Sequence, residues 1–269
     1  MSTAPSEAPW VLLRGLSREA QHWGEVPQQL QARTGRAVHC IDLPGNGIEW
    51  RLTSPVRVHD MTLHVRQRLQ AQGLTGPVHV VGLSMGAMVA VDWATAWPNE
   101  LCSLVLINSS LRGFSAWHQR LRLPAVVRLL GLLLLGLLLS PASDERWEST
   151  LFDLTSRCPA LREATVADWL AIRRAHPVTR LNALRQLLAA ARYRAPAQAP
   201  RVPLLVLSGA GDQLVSPACS ATMAAHWQAP HRVHLQAGHD LPLDAPEWLL
   251  QELIDWAAMP HKAVDVQPG

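Results

Sequence analysis

The sequence predicts a mostly parallel α/β protein, and three observations carry that prediction. Gly82-Leu83-Ser84-Met85-Gly86 joins an apolar, strand-like run at 77–81 to a helix-like run at 87–97. Residues 202–209 read as a second buried strand that ends in a turn, followed by Ala210-Gly211-Asp212. Residues 231–236 read as a third strand and lead into Ala237-Gly238-His239-Asp240. A strand-to-helix turn and polar groups just past strand ends are what a parallel sheet offers at its C-terminal edge, where such folds build their sites.

The first of these elements singles out Ser84. A hydroxyl is a weak nucleophile unless it is lifted out of the chain, aimed and relieved of its proton. A tight turn between strand and helix aims it, and small residues two positions to either side let strand and helix approach. The helix that follows directs its free N–H groups to the place where negative charge would gather. The other two elements supply partners in the chain order Ser84, Asp212, His239. In these roles Ser84 attacks, His239 takes and returns its proton, and Asp212 orients the imidazole. The bland alternatives are a turn-forming serine and a turn-forming Gly-Asp pair.

The chain resembles the α/β-hydrolase superfamily. The resemblance rests on Leu12-Leu13-Arg14-Gly15-Leu16, Asp42-Leu43-Pro44-Gly45-Asn46-Gly47, the Ser84 elbow, the loop holding Asp212, and Gly238-His239. It implies a mostly parallel sheet of about six strands, near 10–14, 37–41, 78–82, 103–107, 203–208 and 231–236, with helices on both faces and an inserted helical cap. It also implies an oxyanion hole of two backbone N–H groups, at Met85 and at Leu16. Removing one such donor costs on the order of 3 kcal/mol of transition-state stabilisation. Two departures stand out. Arg14-Gly15 replaces the family's usual His-Gly, and only nine residues precede Trp10, too few for the extra edge strands many relatives carry. A rival position for the acid, after the strand at 103–107, holds Asn108-Ser109-Ser110 and no carboxylate.

The expected core is 1–110 and 202–269, and the expected cap is 111–201. Within the cap, 164–174 and 179–193 are patterned as amphipathic helices, broken at His176-Pro177. Residues 195–203, rich in Pro and Ala, are the return crossing. Residues 125–139 are nearly all aliphatic. They are short for a membrane span, which needs roughly 18–20 residues, and read as a buried cap helix or as an element that meets acyl chains or a lipid surface. Residues 111–200 contain 13 Arg and 6 Asp or Glu, whereas the whole chain carries only +3. A basic, apolar lid suits anionic amphiphiles or anionic lipid, while solvated arginines filling exposed faces are the plainer reading.

The remaining features bound the function. With 269 residues, 48% of them hydrophobic, the chain has material for one large core plus an insertion. Cys40, Cys102, Cys158 and Cys219 lack metal or disulfide spacing and read as reduced packing residues of a cytoplasmic protein. The first nine residues lack the charge and apolar stretch of a secretory signal. No basic stripe with interleaved aromatics suggests nucleic acid, and neither metal nor organic cofactor is implied. His22 is a candidate for lining the pocket, Asp240 and Asp244 are expected to cap or brace the final helix, and the tryptophans are read as packing residues. The sequence thus predicts a serine hydrolase acting on an ester or thioester of a hydrophobic acyl group. Its alternatives are a non-catalytic binding module, or the same triad used for carbon–carbon hydrolysis or acyl transfer.

Overall fold

The structure, a computed structural model, describes residues 7–138 and 143–260; the side chains of 130, 132–138 and 143 lie outside that description. Six strands form one parallel sheet in the order β2-β1-β3-β4-β5-β6: β1 Trp10–Leu13, β2 Val38–Cys40, β3 Val78–Leu83, β4 Leu101–Ile107, β5 Leu204–Gly209 and β6 His231–His234. Six was the expected number, and every expected strand is present within a few residues of its place. The two edge strands, β2 and β6, are the shortest with β1 and the least buried, while β1, β3 and β5 are buried throughout.

Side chains alternate across a pleated strand, and here each alternate set enters a different apolar layer. Val11, Leu13, Val80, Leu104, Leu106 and Val206 pack with the helices α2 (Val58–Ala71), α3 (Met85–Ala96) and α9 (Pro217–Trp227). Trp10, Leu12, Val81, Val105, Ile107 and Leu205 pack on the other face with α1 (Val26–Thr34) and α11 (Pro246–Ala258). Helices thus cover both faces, as a sheet buried on both sides demands.

Between β4 and β5 run α4 (Trp117–Arg120), α5 (Leu123–Leu138), α6 (Ser143–Thr155), α7 (Arg162–Ala175) and α8 (Arg180–Arg192). Here α7 and α8 are the two expected amphipathic helices. The aliphatic run falls in α5, where Ala125 is buried but Leu123, Val127 and Arg128 are exposed, so its first turns are not a buried helix. Leu139 and the side chains of 132–138 lie outside the described residues. Among the described residues no helix is long and apolar enough to cross a membrane. After β6, α10 (Leu241–Asp244) leads into α11.

Candidate active site

Ser84 sits between β3 and α3 with φ 57° and ψ −116°, a left-handed conformation that costs a non-glycine residue free energy. Hydrogen bonds hold it there. Its N–H donates to the Ile107 carbonyl at 2.9 Å, and its carbonyl accepts from Ala87 N–H at 3.1 Å and Ser109 Oγ at 2.9 Å. The flanking glycines are sterically required. A Cβ on Gly82 would lie 2.6 Å from Ala87 Cα, and one on Gly86 would lie 2.3 Å from the Leu13 carbonyl oxygen. Strand, helix and β1 therefore meet more closely than any side chain permits.

The loop after β1 lies against the serine. A Cβ on Gly15 would stand 3.0 Å from Ser84 Cβ and 3.4 Å from Ser84 Oγ. Leu16 follows at once, and Met85 opens α3 on the other side. Among the described residues neither the Leu16 nor the Met85 N–H has a hydrogen-bond partner.

Asp212 and His239 are brought into direct contact. His239 Nδ1 and Asp212 Oδ2 are 2.6 Å apart, and both side chains are buried. The second carboxylate oxygen, Oδ1, accepts the N–H groups of Leu214 at 2.8 Å and Val215 at 2.9 Å. Two such donors fix the carboxylate plane. With Nδ1 as the donor to this acid, the imidazole presents Nε2 as a lone pair, the form a base requires.

Asn108 connects this pair to the elbow. It too has a positive φ, 45°, and its Nδ2 donates to the carbonyls of Gly238 at 3.1 Å and His239 at 2.8 Å. Its Oδ1 accepts Gly209 N–H at 2.9 Å. The preceding residue, Ile107, accepts the Ser84 N–H. Asn108 thus ties the end of β5 to the histidine loop, and its neighbour Ile107 ties the end of β4 to the elbow. The position that lacks a carboxylate in this chain has a structural use.

Arg14 replaces the usual histidine with a different anchor. Its guanidinium forms a bidentate pair with Asp240, Nη1–Oδ1 3.1 Å and Nη2–Oδ2 2.7 Å, with both side chains buried. It also lies 5.2 Å over the Trp23 ring. The residue before Gly15 is therefore clamped to the residue after His239. This corrects the expectation that Asp240 caps or braces the final helix, since both its carboxylate oxygens are taken by Arg14. Asp244 is likewise no cap, because Ala245 occupies that place. Its carboxylate instead accepts from Ser156 Oγ at 2.5 Å, Arg157 N–H at 2.8 Å and Gly238 N–H at 2.6 Å, binding the end of α6 to the histidine loop.

The inserted helices grip the same loop from the other side. Arg18 Nη1 donates to Glu148 Oε2 of α6 at 2.7 Å, and its guanidinium lies 4.0 Å over the Trp169 ring of α7. Gln186 of α8 accepts the Ser17 N–H at 2.9 Å. His22 lies within this cluster: its Nδ1 accepts Glu19 N–H at 3.1 Å and its Nε2 is 2.9 Å from Arg18 Nη1. Burial first, then the charges of Arg18 and Arg14, hold it well below the ordinary histidine value. It is thus a packed neutral imidazole of the cluster. Nearby Asp42 accepts Ala20 and Ile48 N–H at 2.7 and 3.0 Å, and burial pushes its carboxyl up to about 6.

Other chemistry is sparse. Burial raises all four thiols, Cys40 to about 12, which keeps them poor nucleophiles. Among the described residues no three His, Cys, Asp or Glu side chains converge to hold a metal. A groove of about 400 Å³ lined by Ala94, Thr95, Pro98 and Arg201 lies at the C-terminal end of α3. That is about 15 Å along the helix from Ser84, at 1.5 Å per residue.

A family model described as "Serine aminopeptidase, S33" matches residues 4–244. The chain belongs to this family of α/β-hydrolases. Curated relatives match over shorter stretches. A pimeloyl-[acyl-carrier protein] methyl ester esterase of Chromobacterium violaceum is 33% identical over 102 residues, 38% of this chain and 37% of that protein. Lipase 1 of Psychrobacter immobilis is 28% identical over 103 residues, 38% of this chain and 32% of the lipase. The matched stretches thus take in about a third of these relatives' length. Among solved structures, the enol-lactonase of Burkholderia xenovorans aligns with TM-score 0.73 at 18% identity, covering 96% of this chain and 94% of that one. An esterase of Thermogutta terrifontis aligns with TM-score 0.70 at 22% identity, covering 95% and 90%. These alignments establish the α/β-hydrolase fold.

Proposed function

We propose that this protein is a serine hydrolase that cleaves the carboxylic ester or thioester of a hydrophobic acyl group through an acyl-enzyme. The observation that carries this reading is the buried 2.6 Å contact between His239 and Asp212, joined through Asn108 and Ile107 to a serine held in a strained elbow. Ser84 Oγ attacks the acyl carbon as His239 Nε2 removes its proton. The tetrahedral oxyanion is held by the Leu16 and Met85 N–H groups, and Asp212 stabilises the imidazolium. Collapse expels the alcohol or thiol, which takes the proton from His239. Water then attacks the acyl-enzyme by the same route and frees the acid and Ser84.

Residues 1–110 and 202–269 serve as the core in this reading, and 111–201 as a cap over the site. The aliphatic side of that cap meets acyl chains and lipid. The ester-cleaving activities named for the curated relatives support the bond type, and the four unbonded thiols suit the cytoplasm.

The test is steady-state turnover of a p-nitrophenyl ester series from acetyl to long acyl chains. Ser84→Ala should abolish turnover while leaving the melting temperature unchanged. Asp212→Asn should lower kcat by roughly 10⁴-fold, since it disturbs the histidine tautomer. Full activity in Ser84→Ala would sink the nucleophile assignment. A complete set of inactive esters with a folded protein would favour the binding-module alternative, and product appearing only with an added acceptor alcohol would favour acyl transfer.

A further inference from the structure

α8 is inside out. In a helix that flanks a globular core, apolar residues face inward and polar ones face water. Here the buried face carries Asn182 and Gln186 beside the small Ala189 and Ala190, while Leu181, Leu184, Leu187 and Leu188 are exposed, Leu181 by 63% and Leu184 by 50%. The inversion has a local cause. Asn182 Oδ1 accepts Ser54 N–H at 2.9 Å and its Nδ2 donates to the Leu52 carbonyl at 2.9 Å. Gln186 Nε2 donates to Asn46 Oδ1 at 2.8 Å and Ser54 Oγ at 2.9 Å, and its Oε1 accepts Ser17 N–H. Every one of these side-chain bonds would be lost if the helix rolled to hide its leucines.

The exposed face has a charge pattern as well. At 100° per residue, Leu181, Leu184 and Leu188 form one stripe, flanked by the exposed Arg192 and by Arg185, whose Nε donates to the Ser54 carbonyl at 2.6 Å. The helix contains no Asp or Glu. The neighbouring segment adds apolar exposure, since Ile48 and Leu52 are both exposed next to the Ser54–Asn182 contact. A leucine stripe edged by arginines and free of carboxylates matches a surface that is apolar beneath and anionic at its rim. A second copy of the chain would bring α8's arginines against their own kind.

We propose that the outer face of α8 docks on an anionic lipid bilayer, with its leucines among the acyl chains and its arginines at the headgroups. The proposal gives a location to the lipid contact included in the functional reading above. Its consequence for catalysis is geometric. The opposite side of α8 holds Ser17, next to Leu16, so docking sets the oxyanion loop about one helix diameter, roughly 10 Å, from the membrane surface.

The experiment is co-sedimentation of the full chain with vesicles of phosphatidylcholine alone or mixed with phosphatidylglycerol. The wild type should pellet with the anionic vesicles at least tenfold more than with neutral ones, and less as salt rises. Leu181→Gln/Leu184→Gln/Leu188→Gln should lose this binding while keeping its melting temperature and its turnover of a soluble acetyl ester. Arg192→Gln, a second variant that leaves the leucines in place, should weaken binding severalfold. Ser84→Ala should bind as the wild type does, so a failed hydrolase assignment leaves the docking result readable. Equal pelleting of the leucine variant, or no preference for anionic vesicles, would overturn the proposal. So would a dimer in light scattering that the leucine variant abolishes, because a second copy would then cover the face.

Discussion

α3 and α8 both meet the loop at residues 14–17 but are held there by different means. Nine of the twelve residues of α3 are buried, among them Met88, Val89 and Val91, and the helix is kept in place by apolar contact with the sheet. α8 buries two amides with only the small Ala189 and Ala190 in the apolar core, shows its leucines, and is held largely by directed hydrogen bonds to Asn46, Leu52, Ser54 and Ser17. The contrast teaches that apolar burial serves where the Ser84 elbow must be rigid, and hydrogen bonding where an apolar face must stay outward.

The largest effect should come from the buried pair that locks this loop to the histidine loop. Arg14→Met leaves Asp240 buried without a partner and should cost about 3–5 kcal/mol in a denaturant melt, with kcat falling more than KM rises. Restoring most of that stability with Arg14→Met/Asp240→Leu would support the pair. No loss in the single variant would show that the loop is held otherwise. On the apolar side, Met88→Ala should cost about 2–5 kcal/mol. A smaller loss than that of Gln186→Ala would reverse the contrast between the helices.

A third probe is electrostatic. Asp42 has a folded value of about 6 against an unfolded value near 3.9, so the native state holds its proton more tightly. Its contribution to stability is full below about pH 4 and lost as pH rises through 6. The unfolding free energy of the wild type relative to Asp42→Asn should therefore fall by on the order of 2 kcal/mol from pH 4 to pH 7. A pH-independent difference would mean that the carboxyl is solvated. Gln186→Ala strands a buried Ser17 N–H and should cost about 1–2 kcal/mol by thermal unfolding. The smallest effect belongs to Leu184→Ala, expected within about 0.5 kcal/mol of the wild type. A loss like that of Met88→Ala would show that the outer face of α8 is covered within the monomer.

The same contrast explains what was legible in the sequence. Strands reveal themselves by local apolar runs, and Gly82 and Gly86 announce a turn that only glycine fits, so the sheet, the elbow and the Asp212 and His239 loops could all be read. Arg14–Asp240 spans 226 positions, and no local pattern pairs such residues. Asp240 and Asp244 precede a helix, and the local rule for aspartate there is capping. Only tertiary contact reveals that they clamp loops instead. Asn108 was visible as a missing carboxylate, but its three side-chain hydrogen bonds were not. For α8 the period of the leucines showed a stripe without showing which way it faces, because the buried donors and acceptors that decide it come from residues 17, 46, 52 and 54.

The most direct test of the central claim, that Ser84 is an activated nucleophile, is mass spectrometry of the purified protein after treatment with a fluorophosphonate. One adduct should form, on the peptide that contains Ser84, and it should vanish in Ser84→Ala and slow sharply in Asp212→Asn. A folded wild type that gains no adduct, or gains it equally in Ser84→Ala, would contradict the account.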